Sequence, residues 1–531
     1  MTYSYNNIIT NMQNAIKTPP PLYIESELLS TTAKTYLGYR GYCIQKDSID
    51  EKAKKSIRER LMAKPQTMNM GMGGGETSYP IYMESSTKFY VPRYFGIKYF
   101  GPPKEVKISQ GAPINVKFNG ELREYQLQII DTFIQHIGLP TPDSSFQQGK
   151  GGGSIEVGCG RGKTVMALKI IELVAKKTRI IVHKEFLKNQ WIERIQQFLP
   201  TAKVGCIQGQ VIDVEGCDIV IIMLQSLSQK EYPDIIFRDF GLTIVDECHH
   251  ISSEVFCRAL QTNITAYSLA LSATMNRKDG LTWVFKNFLG DLIFREPKRK
   301  EDAVLVKAIT YSADNDDDYN EVEVDMRGNI KYSTMISKLC SYNSRSEFIV
   351  KVIARELMLN PDQQIILLSQ NKSLLTYLDS AIKYRNICSV GYYIGGMKQD
   401  ALKLSESKTL ILATFQMAAE ALDIKSLTTL ILATPKTDII QASGRILREK
   451  HENPLIIDIV DSHDVFRRQF EKRKKFYLDQ EYTVLKTNGA VYERDSRNAT
   501  TNHDIWEHLE KTSGRKSRNK SVAECLIDIK L

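Results

Sequence analysis

At 531 residues the chain is longer than one ordinary hydrophobic core, so two or three domains are expected. Its 42% hydrophobic and 25% charged content is that of a water-soluble globular protein, and no apolar run reaches membrane-spanning length, which argues against a helical membrane protein. The formal net charge of +9 permits a polyanionic partner without requiring one, and nine cysteines (43, 159, 206, 217, 248, 257, 340, 388 and 525) without a C-x-x-C pair suggest neither a zinc site nor a disulfide framework.

Residues 1–115 alternate short apolar runs with loops and are expected to form a small α+β accessory domain. The start, Met1 to Asn6, lacks a basic flank and an apolar segment, so a soluble intracellular protein is expected. A charged helical stretch runs from Ser48 to Lys64, and Met68 to Gly75 reads as a connection. Lys88 to Phe100 interleaves aromatics with cations. Such a segment could stack on bases and pair with phosphates, but the core of a small β-rich domain is the favoured reading.

From Glu121 strands and helices alternate, and residues 116–297 read as one doubly wound domain. Its strands are expected at Arg179–His183, Asp218–Met223, Leu242–Asp246 and Tyr267–Leu271, all apolar runs suited to a buried parallel sheet. Residues 298–345, with Lys298-Arg299-Lys300 and the acidic run Asp314 to Asp318, read as a linker with room for a strand or two, the acids as a solvated face. A second alternating block, 346–486, has strands at Gln364–Leu368, Thr409–Ala413, Thr429–Ala433 and Pro454–Val460. Arg467 to Lys475 forms a basic helix, and 487–531 is a polar tail whose Lys511 to Lys520 stretch looks disordered. The expected fold class is therefore α/β: two tandem doubly wound parallel-sheet domains with a smaller N-terminal α+β domain.

Chemistry concentrates first at Gly158-Cys159-Gly160-Arg161-Gly162-Lys163-Thr164, which follows an apolar run ending at Val157 and opens the helical run Val165–Ile171. Glycines at 158, 160 and 162 let successive N–H groups and a helix N-terminus converge on one anion. Lys163 would reach the β- and γ-phosphates of ATP, and the Thr164 hydroxyl would hold Mg²⁺. Asp246-Glu247-Cys248-His249 ends a later strand, where carboxylates can overhang such a loop. Asp246 would hold Mg²⁺ through its water shell, and Glu247 would orient and deprotonate the attacking water. Without spaced partners, the histidines beside Cys248 do not read as metal ligands. Ser272-Ala273-Thr274 follows the next strand and suits a relay of nucleotide state. In the second block, Gln441 to Arg448 places Arg445 and Arg448 three apart on one helix face, where they could neutralise transition-state charge on a γ-phosphate. A finger of this kind contributes about 4 to 7 kcal/mol.

In order, Leu122-Arg123-Glu124-Tyr125-Gln126, Gly158 to Thr164, Gln190-Trp191, Gln225-Ser226-Leu227, Asp246 to His249, Ser272 to Thr274, Thr414 to Asp423 and Gln441 to Arg448 resemble the motif series of superfamily 2 helicases and translocases. The resemblance spans about residues 120–465 and implies two RecA-like domains. The Arg-x-Tyr-Gln and Asp-Glu-Cys-His-His forms are similar to the XPB-type DExH branch, and the N-terminal region with Glu84 to Lys88 resembles the poxvirus transcript-release DNA helicases and their counterparts in other large DNA viruses. Two departures stand out: Val157 occupies a position where the general Walker pattern has Gly, and Ala421 replaces the family's usual Gly.

The resemblance implies that Gln126 reads the adenine edge, with Arg123 beside it in the nucleotide site. Gln190, Ser226 and Thr414 would touch the nucleic-acid backbone, and Asp423 would contact the ribose or couple the sites. It further implies an ATP- and Mg²⁺-dependent DNA helicase moving 3′ to 5′ in viral transcription, on single-stranded, duplex or forked DNA, with RNA or an RNA–DNA hybrid and the transcription machinery as further partners, and no membrane. A cytoplasmic replication site and packaging in the virion go with it. The alternatives are an RNA helicase, the motor of a nuclease-coupled system and a non-catalytic nucleic-acid-binding factor.

Overall fold

The computed structural model describes residues 28–65, 78–139, 148, 150–158, 160–250, 254–261, 263–275, 277, 279–296, 304–314, 316–420, 424, 426–439, 443, 454–495 and 505–510. The chain divides into two compact units, Met1–Pro297 and Lys298–Leu531.

Unit 1 begins with β1 (Thr35–Gly38), β2 (Gly41–Gln45), α1 (Glu51–Arg60), β3 (Met83–Glu84), β4 (Lys88–Val91) and α2 (Arg93–Phe100). The strands form an antiparallel sheet in the order β1-β2-β4-β3. The charged stretch expected to be helical is α1; Asp50 starts it by accepting from the Ala53 N–H at 2.7 Å. The aromatic segment is core, since Phe89, Val91, Phe95, Ile97 and Phe100 are buried.

This N-terminal part shares its core with the larger sheet that follows it. One continuous hydrophobic core runs from Ala33 through Phe89, Phe95 and Ile129 to Ile180 and Leu269. Arg93 is 3% exposed and donates to the carbonyls of Thr265 (3.1 Å), Ala266 (2.8 Å) and Lys150. Burying a guanidinium is costly unless its N–H groups are met, and backbone carbonyls of the larger sheet meet them.

That sheet contains β5 (Gly152–Glu156), β6 (Thr178–Val182), β7 (Val204–Gln208), β8 (Val211–Ile212), β9 (Ile219–Met223), β10 (Leu242–Val245), β11 (Tyr267–Ser272) and β12 (Leu292–Arg295) in the order β8-β7-β9-β6-β10-β11-β5-β12. All neighbours are parallel except β8 with β7. Every residue of β6, β9, β10 and β11 is buried, which is why they read as predominantly apolar runs. Helices α3 (Glu124–His136), α4 (Lys163–Val174) and α5 (Glu185–Phe198) pack with this sheet.

Unit 2 holds β13 (Leu305–Tyr311), β14 (Gln364–Ser369), β15 (Val390–Tyr393), β16 (Leu410–Thr414), β17 (Leu427–Leu432), β18 (Leu455–Asp461), β19 (Thr483–Asn488) and β20 (Glu507–Leu509), ordered β15-β16-β14-β17-β18-β13-β19-β20. Only β19 with β20 is antiparallel. The described part of the segment 298–345, expected as a linker holding a strand or two, is built into the fold. Its β13 lies in register between β18 and β19, and helix Tyr332–Ser341 buries Met335, Ile336, Leu339 and Cys340. β13 is a seven-residue strand behind a run of basic residues. The tail boundary at 487 likewise falls within β19.

Candidate nucleotide site at the sheet edge of unit 1

The phosphate-loop residues lie where β5 turns into α4. Gly162 is left-handed (φ +77°), and a Cβ there would sit 2.4 Å from Gln126 Nε2, so both the backbone conformation and the close approach demand glycine. No side chain caps α4, which leaves its first N–H groups facing outward for an anion. Lys163, the first residue of the helix, places Nζ 3.3 Å from Glu247 Oε1, both side chains mostly buried. Thr164 follows, half-buried.

The carboxylates come from the end of β10, two strands from β5 in the sheet. Trp191 Nε1 on α5 donates to Asp246 Oδ2 at 2.9 Å, and the Glu247 N–H donates to Oδ1 at 3.0 Å. Burial, followed by the neighbouring Glu247 charge, pushes the Asp246 carboxyl up to about 6, against the opposing pull of Lys163. Glu247 itself has φ +48°, a conformation that L-residues adopt at a cost and that turns its side chain towards the loop lysine.

Ser272, at the end of β11, joins this group. Its Oγ lies 2.9 Å from His249 Nδ1 and accepts from the Thr274 N–H at 3.1 Å, while the same His249 nitrogen stands 3.4 Å from Glu247 Oε2. The Ser-Ala-Thr segment is thus wired to the acidic pair through His249. Sequence reasoning set that histidine aside because it considered only a metal role.

Gln126 is 6% exposed, and each end of its amide is already engaged: Oε1 accepts from the Arg123 N–H at 2.9 Å and Nε2 donates to the Arg161 carbonyl at 3.0 Å. One N–H and one lone-pair direction remain for a base. Arg123 is exposed at the start of α3. Tyr125 Oη also donates to the Arg161 carbonyl, at 3.1 Å, and the Arg161 guanidinium lies 3.8 Å from the Tyr125 ring centroid. The Gly158 N–H donates to Glu296 Oε2 at 2.9 Å, and Arg161 Nε pairs with Glu296 Oε1. Gly160 has φ +74°.

The residues expected to touch nucleic acid are less uniform. Gln190 is half-exposed on α5, whereas Ser226 is 8% exposed with its hydroxyl accepting from the Gly209 N–H at 2.8 Å, a loop-holding position. Thr414 ends β16 in unit 2, half-buried. Asp423, Gln441, Arg445 and Arg448 lie outside the described residues. Trp191, Tyr125, His249 and Glu296 are site residues that motif reading did not assign. Trp191 and Tyr125 stood within motifs already recognised, while Glu296 carries no local signal.

This donor set fits a magnesium triphosphate. Two adjacent carboxylates, one raised by burial and like charge, gain from a divalent cation, and Thr164 supplies a hydroxyl beside a helix N-terminus and a lysine. No group of three or more His, Cys, Asp or Glu is arranged to hold a metal among the described residues, so a cation here would take most ligands from phosphate and water.

Residues 119–277 match the family model described as "Type III restriction enzyme, res subunit". A relative from Acanthamoeba polyphaga mimivirus, "Putative ATP-dependent RNA helicase L396", is 32% identical over 468 residues, covering 86% of this chain and 88% of its own. The chain belongs to the superfamily 2 helicases of large DNA viruses. A second relative of this helicase, "Putative helicase 161L" of Invertebrate iridescent virus 6, is 26% identical over 68% of the chain and 82% of its own length. Among solved structures, "The crystal structure of T4 UvsW" aligns with 86% of the helicase and 99% of that chain at 15% identity and a TM-score of 0.34. As a member of that family the helicase is a nucleic-acid-dependent ATPase, and it is built on two eight-stranded, largely parallel sheets. No described helix is long and apolar enough to cross a membrane.

Proposed function

We propose that the protein couples ATP hydrolysis to 3′-to-5′ movement along DNA in viral transcription. The observation that carries the ATP chemistry is the convergence of Lys163, Glu247 and Asp246 at one sheet edge, with Trp191 and His249 holding the two acids. Mg²⁺, when bound, neutralises charge on the β- and γ-phosphates. The N–H groups at the start of α4 and the Lys163 ammonium bind the triphosphate, and Thr164 and Asp246 orient the cation's shell. Glu247, released from Lys163 as phosphate takes its place, accepts the proton of the attacking water. Arg445 and Arg448 supply positive charge to the transition state in this reading. Gln126 holds adenine, Asp423 the ribose, and Gln190 and Thr414 the nucleic-acid backbone. The Thr274–Ser272–His249 chain reports the state of Glu247. The proposal carries with it a cytoplasmic replication site and packaging in the virion.

A second reading, movement on RNA, is favoured by the names of several relatives, the mimivirus protein and "Putative ATP-dependent RNA helicase QP509L" of African swine fever virus among them. ATPase stimulation by DNA and by RNA, together with strand displacement on 3′- and 5′-tailed duplexes of each, separates the two. DNA stimulation with displacement from 3′ tails is expected; stimulation by RNA alone removes the first reading. Lys163→Ala and Glu247→Gln should each abolish turnover while leaving nucleic-acid binding measurable.

A further inference from the structure

We propose that Glu296 is a positioning residue for the phosphate loop, and that its charge is tolerated beside a bound triphosphate because Arg161 neutralises it. The proposal rests on the ATP-site reading above. Glu296 directly follows β12, the edge strand paired with β5, and its own N–H donates to the Glu156 carbonyl at 2.9 Å. That register brings its carboxylate over the loop leaving β5. There one oxygen accepts from the Gly158 N–H at 2.9 Å and the other pairs with Arg161, both side chains being mostly buried (16% and 19% exposed).

A carboxylate in this position performs two opposed services. It fixes the first turn of the loop by occupying the Gly158 N–H, leaving the N–H groups from Gly160 to Thr164 to face an anion. It also places negative charge beside the site of a highly charged anion, where a partly buried charge is weakly screened. Arg161 resolves the conflict and cannot drift. Its guanidinium is stacked 3.8 Å from the Tyr125 ring centroid, and its carbonyl is held by Tyr125 Oη and Gln126 Nε2. One loop residue therefore ties the start of α3, the phosphate loop and the end of β12 into a single charge-balanced unit.

The test is a double-mutant cycle in the full chain, reading KM for ATP and kcat separately at saturating single-stranded nucleic acid and Mg²⁺. Arg161→Ala leaves Glu296 unbalanced and should raise KM about tenfold, with kcat moving less than about threefold. Adding Glu296→Gln, which keeps an oxygen for the Gly158 N–H, should bring KM back to within about threefold of the wild type. If Glu296 were only a structural tie, the second substitution would do further harm, so a double-variant KM equal to or above that of Arg161→Ala overturns the proposal. Should Arg161→Ala lower Tm, Arg161→Met keeps a stem over Tyr125 and carries the same comparison. Wild-type protein that turns over ATP no faster than Lys163→Ala would sink the ATP-site reading itself, an outcome distinct from additivity in the cycle.

Discussion

Trp191 and His183 show how single side chains set the working range of the site. The indole N–H of Trp191 is a supporting contact to Asp246, and losing such a partner commonly weakens metal affinity about 10- to 100-fold. Trp191→Phe should therefore raise the Mg²⁺ concentration for half-maximal ATPase by that order, and an unchanged Mg²⁺ titration would remove Trp191 from the cation site. Two buried groups oppose one another in pH. Burial, then Lys184, holds His183 down to about 4 from an ordinary 6.5, so its contribution to stability is present above pH 6.5 and lost as pH falls towards 4. Asp246, raised from 3.8 to about 6, favours the folded state below pH 3.8 and loses that contribution as pH rises through 6. Between pH 4 and 6 the two slopes largely cancel. Asp246→Asn leaves the histidine term uncovered, and urea unfolding of that variant should show stability rising by about 3 kcal/mol from pH 4 to 6.5. A profile as flat as the wild type's would show that His183 takes a proton in the folded chain.

At the scale of elements, the basic helix Asp464–Asp479 is two things at once. Arg473, one of the cations of that helix, is 2% exposed and makes a bidentate pair with Asp458 of β18 at 2.8 Å, joined by Tyr477. Arg473→Met strands a buried carboxylate and should cost about 3 to 5 kcal/mol, visible as a lower Tm. Lys472 and Lys475 are exposed. If this face meets phosphates, Lys472→Ala with Lys475→Ala shallows the salt dependence of nucleic-acid affinity by roughly 1.4 to 1.8 in log–log slope; an identical slope makes it ordinary solvated surface. The same division explains what could be read from sequence. β6, β9, β10, β11, β14, β16, β17 and β18 are mostly buried and rich in Ile, Leu, Val and Ala, and they announce themselves. β7, β12, β15 and β19 mix polar residues into strands at or near the sheet edges, β13 does so between two neighbours, and their role comes from partners distant in sequence. In the site, loop and carboxylates were legible because their spacing is local. Glu296 was not, because only the register of β12 on β5 brings it to the loop.

For the molecule as a whole, the shared core of unit 1 makes a prediction about truncation. The Gly111–Gly241 approach and the hydrogen bonds from Ala112 N to Asp239 O and from Lys177 N to Ala112 O bind the preceding segment to the sheet, as Arg93 does farther back. A fragment of residues 28–297 should unfold in one cooperative step. One of residues 116–297, with Tyr267 and Phe285 uncovered and the Ala266 carbonyl deprived of Arg93, should aggregate or melt without a clear transition. A soluble, cooperatively folding 116–297 fragment would contradict this.

The position of β13 bears on how the chain is made. It is the earliest strand of the second sheet to leave the ribosome, yet its two neighbours begin at Leu455 and Thr483. Both of its edges stay open until Leu455–Asp461 is made and one stays open until Thr483–Asn488 follows, so the second half can close its sheet only after translation has passed Asn488. A nascent chain halted anywhere short of that residue presents an unpaired, valine- and isoleucine-bearing edge, a natural ligand for chaperones.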